Sequence, residues 1–508
     1  MTATTSSPSA VGFRSERGPV LAALMLSTGL VALDSTIIAT AVPSVVKDLG
    51  GFSQFPWLFS IYLLTQAVTV PLYGKFADVV GRRPLMFLGI ATFLVGSVLC
   101  GLAWSMPSLI AFRAVQGIGA GAVQPMSMTI VGDLYSVEER ARVQGYLASV
   151  WGIAAVVGPT LGGFFSDYLS WRWIFFVNLP LGVLAWVTLS RRFKESVVHR
   201  EHTIDWTGAA LLTTGCSLAI LGFLEGGVAW AWGSVTSIAI LAVAGISLLA
   251  FVAVERGAAE PVLPLWVFGR RVLVGGNLVS LAVGAVVIGL TSYVPTYAQG
   301  VLGASAVVAG FALAALTVGW PLAAAFAGRL YLRIGFRNTS FIGCAAAIAG
   351  TLLCLMLGVN SSLWQVAAFC FVIGVGMGLV ASPTLVAVQS VVGWDRRGVV
   401  TGANMFCRSM GSALGAAIFG AIANASLSNR FAHPPASLAG KLPRGADAAS
   451  IAIGGQGPSR TSAEGEFVRH ALSAASHDVF VGLAVLAVLT VGFLLLMPHR
   501  TEELSFEA

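Results

Sequence analysis

Long apolar runs separated by short polar breaks fill most of this chain from residue 19 onward. A hydrocarbon core of about 30 Å requires about 20 predominantly apolar residues in a helix. Runs of that length lie at 19–42, 55–74, 84–104, 108–131, 142–165, 171–190, 206–224, 234–254, 272–297, 305–327, 339–358, 361–390, 398–424 and 478–497, fourteen in all. The pattern predicts an all-α integral membrane protein with 14 transmembrane helices. The first run follows a polar lead with Arg14 and Arg17, but it is too long for a signal-peptide core and is expected to remain as a helix.

Composition agrees with this reading. Of 508 residues only 10% are charged and 56% are apolar, too little polar surface for several water-soluble cores. An even number of spans puts both termini on one side. The loops of that side hold 20 Lys and Arg, among them Lys75, Arg82, Arg83, Arg140, Arg191, Arg192, Arg329, Arg333 and Arg397, whereas the short loops of the other side hold only Lys47 and Arg172. The positive-inside rule therefore makes both termini cytoplasmic. This asymmetry accounts for the net charge of +7 without a nucleic-acid partner, since the bases never cluster with aromatic residues.

Trp57, Trp104, Trp171, Trp173, Trp206, Trp230, Trp232, Trp364 and Trp394 fall near predicted helix ends, as an interfacial belt requires. Trp151 and Trp320 lie inside the fifth and tenth segments, where helix packing and the wall of a ligand cavity both remain open. The six cysteines, Cys100, Cys216, Cys344, Cys354, Cys370 and Cys407, sit singly in apolar stretches and read as packing residues, not as disulfides or metal ligands. A long external stretch at 425–477, rich in Ala, Ser, Gly and Pro, reads as flexible apart from a short amphipathic helix near Glu464 to Ala475.

The chain repeats itself. Gly74-Lys75-Phe76-Ala77-Asp78-Val79-Val80-Gly81-Arg82-Arg83 returns in weaker form as Gly328-Arg329-Leu330-Tyr331-Leu332-Arg333-Ile334-Gly335-Phe336-Arg337, an offset of 254. Glu138, Arg140 and Gly145 match Asp395, Arg397 and Gly402 at an offset of 257. These offsets imply two six-helix halves in parallel repeat: residues 1–200 and 271–508, with two additional helices and a linker at 201–270 between them. Repeated halves with a site between them are the architecture of a transporter.

Four motifs then carry a family resemblance. They are Leu33-Asp34-Ser35-Thr36-Ile37-Ile38 with Pro43 in the first segment; the Gly74 to Pro84 loop; Arg113-Ala114-Val115-Gln116-Gly117-Ile118-Gly119-Ala120-Gly121 in the fourth; and Gly152 with Gly158-Pro159-Thr160-Leu161-Gly162-Gly163 in the fifth, followed by Trp171-Arg172-Trp173 and Asn178-Leu179-Pro180. Over essentially its whole length the chain resembles the fourteen-spanner drug:proton antiporter family of the major facilitator superfamily. The resemblance implies the major facilitator fold, a bacterial inner-membrane location, and a monomer that exchanges amphipathic small molecules for protons. It also implies that the helix 5 motif biases the protein toward exchange instead of leak. The second loop copy has Leu332 where the first has Asp78, which predicts fewer carboxylate contacts at the second half's gate.

Intramembrane charge carries the most chemistry. A carboxylate at mid-helix costs roughly 2.5–3.5 kcal/mol on insertion scales, so Asp34 requires a water-filled cavity, a basic partner or a proton. Burial favours the neutral acid and an approaching guanidinium favours the ion, so such a site can take up and release a proton. Arg113 stays charged and is the candidate counter-ion. Gly74, Asp78, Gly81, Arg82 and Arg83 are the candidate gating set of the loop, a solvated topogenic charge cluster being the alternative for its charges; Gly158, Pro159, Gly162 and Gly163 are expected to set the close approach and bend of the fifth helix.

Polar or small stripes recur at helical spacing as Arg113, Gly117, Ala120, Gln124 and Ser127, and as Thr401, Asn404, Arg408, Ser412 and Gly415; close helix packing is one reading, and the arginine in each stripe favours a face toward the central cavity. With Trp151, Tyr293 and Trp320, the residues Gln124, Asn404 and Arg408 are expected to line a substrate cavity that is apolar with sparse hydrogen bonding. No phosphate-binding loop of the form GxxxxGK[ST] occurs and no nucleophile–base or metal cluster stands out, so the sequence predicts no enzyme activity, no cofactor, and an ion gradient as the energy source. Proton-coupled multidrug efflux is the reading favoured; export of an endogenous lipid, siderophore or antibiotic, and a non-transporting membrane sensor, are its rivals.

Overall fold

The computed structural model describes residues 12–13, 15–50, 57–195, 205–227, 230–258, 260–435, 438 and 462–499. Its described residues form an all-helical membrane protein. The first part of the chain gives α1 (Gly18–Leu49), α2 (Trp57–Val80), α3 (Arg82–Gly101), α4 (Met106–Leu134), α5 (Val137–Tyr168), the single turn α6 (Trp173–Phe176) and α7 (Asn178–Arg192). Next come α8 (Trp206–Glu225) and α9 (Val235–Glu255), then α10 (Arg271–Gly300), α11 (Ala306–Ile334), α12 (Phe336–Cys354), α13 (Leu363–Ser390), α14 (Arg397–Ala432) and α15 (Ala463–Leu495). Fourteen long helices thus stand where the apolar runs predict them, the sixth run being divided into α6 and α7.

Eleven of these helices are long and apolar enough to cross a membrane by length and composition alone. The exceptions, α2, α4 and α12, carry more polar residues. In α2 and α4 these residues have internal work: Thr65 and Thr69 bond back to their own helix, and Gln66 donates to Gln124 across the pair at 3.1 Å.

The repeat is written into local geometry as well as sequence. Gly81 and Gly335, equivalent at the 254 offset, have φ of 102° and 85° and separate α2 from α3 and α11 from α12. Only glycine adopts that backbone without cost, so each loop copy turns the chain at the same place. Ser105 with Ser108 caps α4, and Ser362 with Gln365 caps α13, again 257 residues apart. Pro71, Pro125, Pro321 and Pro383 sit within continuous helices α2, α4, α11 and α13.

The helices pack in groups. In the first half α3 and α2 pack on α4, and α1 packs on α5 and α7; in the second, α11 and α12 pack on α13, and α10 packs on α14 and α15. Between these groups α5 meets α11 and α2 meets α14, while α8 and α9 pair with each other and lean on α2 and α14 through α8.

The stretch at 425–477, expected to be flexible apart from a short helix near Glu464 to Ala475, is helical at both of its ends. α14 continues to Ala432 and α15 begins at Ala463, where the Ser462 side chain accepts from Gly465 N. The predicted amphipathic piece near Glu464 is therefore the start of the last helix, which also contains Asp478. Phe431 and Phe467 stack edge-on between the two extensions, with ring centroids 5.5 Å apart. Residues 439–461, including the Gly454 to Pro458 run read as flexible, lie outside the described residues.

Candidate functional site

Asp34, in the middle of α1, is 1% exposed, and so is Arg113 of α4. Arg113 Nη1 donates to Asp34 Oδ2 at 2.5 Å and to Gln116 Oε1 at 2.7 Å, while its Nε donates to the Leu58 carbonyl at 3.2 Å. The other carboxylate oxygen accepts from Gln116 Nε2 at 2.8 Å and from Asn178 Nδ2 at 3.3 Å. Ser97 Oγ accepts from both amides, at 2.7 and 3.2 Å. Tyr62 closes the cluster, its ring 4.1 Å from the Arg113 guanidinium carbon. Five helices (α1, α2, α3, α4 and α7) therefore meet at one ion pair, and removing either charge leaves the other buried and uncompensated.

Sequence reasoning paired Asp34 with Arg113 but did not single out Ser97, Gln116 or Asn178 as site residues. Gln116 stands one turn from Arg113 within the quoted motif, and Asn178 opens the quoted Asn-Leu-Pro; both are polar groups in apolar runs, which was the available signal. Arg113 is turned into the first bundle and not toward the space between halves, contrary to the cavity face expected of its stripe.

The fifth-helix motif lies directly beside this cluster. A Cβ on Gly158 would come within 2.1 Å of Thr36 Oγ1, two residues from Asp34. Thr36 in turn donates to the Ala154 carbonyl at 2.9 Å, pinning α1 to α5. Pro159 and buried Gly162 continue this helix, whereas Gly163 has open space where a side chain would go; Gly163 is thus not needed for the close approach expected of it.

At the arginine-rich end the halves are locked together. Asp78, at the end of α2, accepts from the backbone N–H groups of Gly398 and Val399 at 2.8 and 2.7 Å, the first turn of α14. A carboxylate there is favoured by unpaired amides and the helix dipole. Arg82, fully buried, donates to Asp78 at 2.8 Å and to the Trp394 carbonyl, pairs with Asp133 at 3.0 Å, and places its guanidinium carbon 3.7 Å from the Trp394 ring.

From the other half Arg397 reaches back to Asp133 at 2.5 Å and to the Gly132 carbonyl at 3.0 Å, an oxygen that Arg140 also engages at 2.5 Å. Gly74 lets the backbones touch, since a Cβ would lie 2.8 Å from the Gly398 carbonyl. Arg83 N and Arg82 N are held by the Glu195 carboxylate at 2.8 and 2.9 Å. In the second loop copy Leu332 is 49% exposed, and its neighbour Tyr331 donates its hydroxyl to the Val137 carbonyl.

The opposite end carries a smaller latch. Asp48 accepts from Arg172 Nη1 at 2.6 Å and Trp171 Nε1 at 3.0 Å. Those hydrogen bonds hold its carboxyl below the ordinary 3.8.

The expected cavity residues divide. Gln124 pairs with Gln66, and Trp151 and Trp320 are half-buried against the cores of their own halves. Asn404 is fully buried and spent on α10, accepting from Ser280 Oγ at 2.8 Å and donating to the Gly276 carbonyl at 3.0 Å. It is an inter-helix pin in this conformation, and the expectation of a cavity wall does not hold there. Tyr293 likewise donates to the Phe419 carbonyl at 3.1 Å, tying α10 to α14. Arg408 has no acidic partner among the described residues. It lies 11 residues into α14, about 16 Å along the helix axis.

Two helical bundles locked at one end around buried intramembrane charge define a multi-pass membrane transporter. The sequence matches the family model of the Major Facilitator Superfamily over residues 24–416, and the chain belongs to that family. It is 34% identical over 454 residues to the Multidrug transporter protein MdtP of Bacillus subtilis, covering 89% of this chain and 84% of that one. It is 33% identical over 414 residues to Efflux pump FUS6 of Gibberella moniliformis, covering 80% and 74%. Among solved structures the human organic anion transporter MFSD10 aligns with a TM-score of 0.60 at 16% identity, covering 93% of this chain and 99% of that one, a likeness of fold.

Proposed function

We propose that this protein is a proton-coupled antiporter of the fourteen-spanner drug-efflux kind, set in a bacterial cell membrane with both termini in the cytoplasm, which expels amphipathic compounds by alternating access. Relatives named multidrug transporter and efflux pump support the direction and breadth of transport. The observation that carries the coupling is Asp34, buried with one guanidinium and two amide donors beside the α1–α5 contact. Protonation would remove the charge that holds Arg113 and so loosen the junction of five helices; deprotonation restores it. In this account the Asp78–Arg82–Arg397 network is the closed cytoplasmic gate, and the conformation is the outward-facing one.

Substrate preference follows from charge. Asp34 is already satisfied within the first bundle, and Arg408 leaves a positive charge in the second without an acidic partner among the described residues. Neutral or weakly charged amphipaths are therefore carried better than dications. Proteoliposome flux under an imposed pH gradient, run over a compound panel of graded charge, tests both parts: flux indifferent to the gradient overturns the coupling, and fastest transport of dications overturns the selectivity.

A further inference from the structure

The second copy of the loop motif is not absorbed by the gate. In the first copy Arg82 is fully buried between the halves; its counterpart at the 254 offset is Phe336, which stacks on Tyr331 with centroids 4.8 Å apart. Besides Arg337, the second copy carries Arg329, at the position of Lys75, and Arg333, which has no basic counterpart in the first copy; both are exposed and stand one helical turn apart on α11. Among the described residues neither is joined to an acidic group. They border a groove of about 450 Å³ between α11 and α13, whose walls are Leu322, Phe326, Val375 and Leu379. Leu322 and Phe326 are 51% and 59% exposed.

We propose that this groove is a binding site for an anionic phospholipid of the leaflet at the arginine-rich face. Two guanidiniums without an acidic partner among the described residues, Arg329 lying 5.6 Å from the Phe326 ring centroid, suit a phosphodiester at the end of a membrane helix, which they engage by charge-assisted bonds. The apolar walls run from them along the helix toward the membrane interior, which suits the attached acyl chains. Pairing two arginines with one headgroup over an apolar cleft selects a lipid and not a soluble anion.

The position also gives such a lipid a mechanical role. The opposite face of α11 packs on α5 of the first half: Gly328, where a Cβ would come within 2.7 Å of the Ala141 methyl, and Tyr331, which donates to the Val137 carbonyl. A lipid seated behind α11 braces those contacts.

The test uses the full chain purified from a bilayer of phosphatidylcholine with phosphatidylglycerol, with retained lipid counted by native mass spectrometry. The wild type is expected to retain phosphatidylglycerol in preference to phosphatidylcholine, and the Arg329→Gln/Arg333→Gln double variant to weaken that preference about 30-fold. Leu322→Trp, which fills the groove without changing charge, is expected to lower retention too, whereas Arg191→Gln/Arg192→Gln, exposed bases on α7 away from the groove, is not. Each variant is checked for native helical content by circular dichroism. No lipid preference in the wild type, or equal loss from the α7 variant, overturns the site in favour of diffuse surface attraction. Displacement of the lipid by millimolar inorganic phosphate overturns it in favour of a simple anion site.

Discussion

Replacing Asp78 with Asn tests the gate with little change in shape. The carboxylate accepts two backbone N–H groups from the start of α14 and one Arg82 N–H, at 2.7–2.8 Å. Asn keeps one acceptor oxygen and presents an amide donor where the other stood, so at least one charge-assisted bond, about 1.5–3 kcal/mol, is lost. Loss of the negative charge at the helix N-terminus adds up to about 2 kcal/mol in a partly buried setting. Arg82 itself stays paired with Asp133 at 3.0 Å, so no orphaned charge inflates the effect. A net cost near 3 kcal/mol shifts the closed-to-open ratio about 150-fold. Spin labels at Arg191 and Leu332, exposed positions in the two halves, report the separation at that end by pulsed electron paramagnetic resonance. The wild type should give one short distance, and Asp78→Asn a substantial long-distance component with lowered net efflux. An unchanged distance distribution would refute the assignment of Asp78 as the latch.

Gly158→Leu forces a side chain into the Thr36 contact, where even a Cβ lies at 2.1 Å, and overpacking of this kind costs about 1–3 kcal/mol; transport should stop or protons should leak, and an unchanged rate with an unchanged resting pH gradient argues against the tight α1–α5 seam. Asp48 has a lowered carboxyl pKa, so its latch to Arg172 is complete above 3.8 and lost as pH falls through the lower value of the folded state. As a solvent-exposed pair it contributes at most about 1 kcal/mol. The small difference in melting temperature between wild type and Asp48→Asn at neutral pH should therefore vanish in acid, and its persistence there would show that the substitution acts through packing.

Much of this architecture is legible in the order of residues because the bilayer imposes a length on every apolar run. The charges are legible for the same reason: Asp34 and Arg113 each stand in an otherwise apolar segment, where an ionised group demands a partner. Ser97, Gln116 and Asn178 are harder to read, since a neutral polar side chain within a helix has many uses, and only the convergence of α1, α3, α4 and α7 gives these three a common centre. Asn404 shows the converse: its stripe has the spacing of a cavity wall, yet parallel packing of α10 on α14 consumes its hydrogen bonds. The helix start at Ala463 lies outside the membrane-length apolar run, so only the amphipathic pattern near Glu464 and the serine cap at Ser462 mark it, and neither shows that it continues into the last span.

Coupling through Asp34 is the central claim, and the direct measurement is substrate accumulation with simultaneous proton counterflow in proteoliposomes carrying wild type or Asp34→Asn. Each inward proton supplies about 2.3 kcal/mol per 100 mV of membrane potential, enough to drive accumulation well above equilibrium. The account predicts that the wild type concentrates substrate against its gradient as protons move the other way, and that Asp34→Asn, folded and present in the membrane in equal amount, does neither. Wild-type accumulation and counterflow by Asp34→Asn would contradict it.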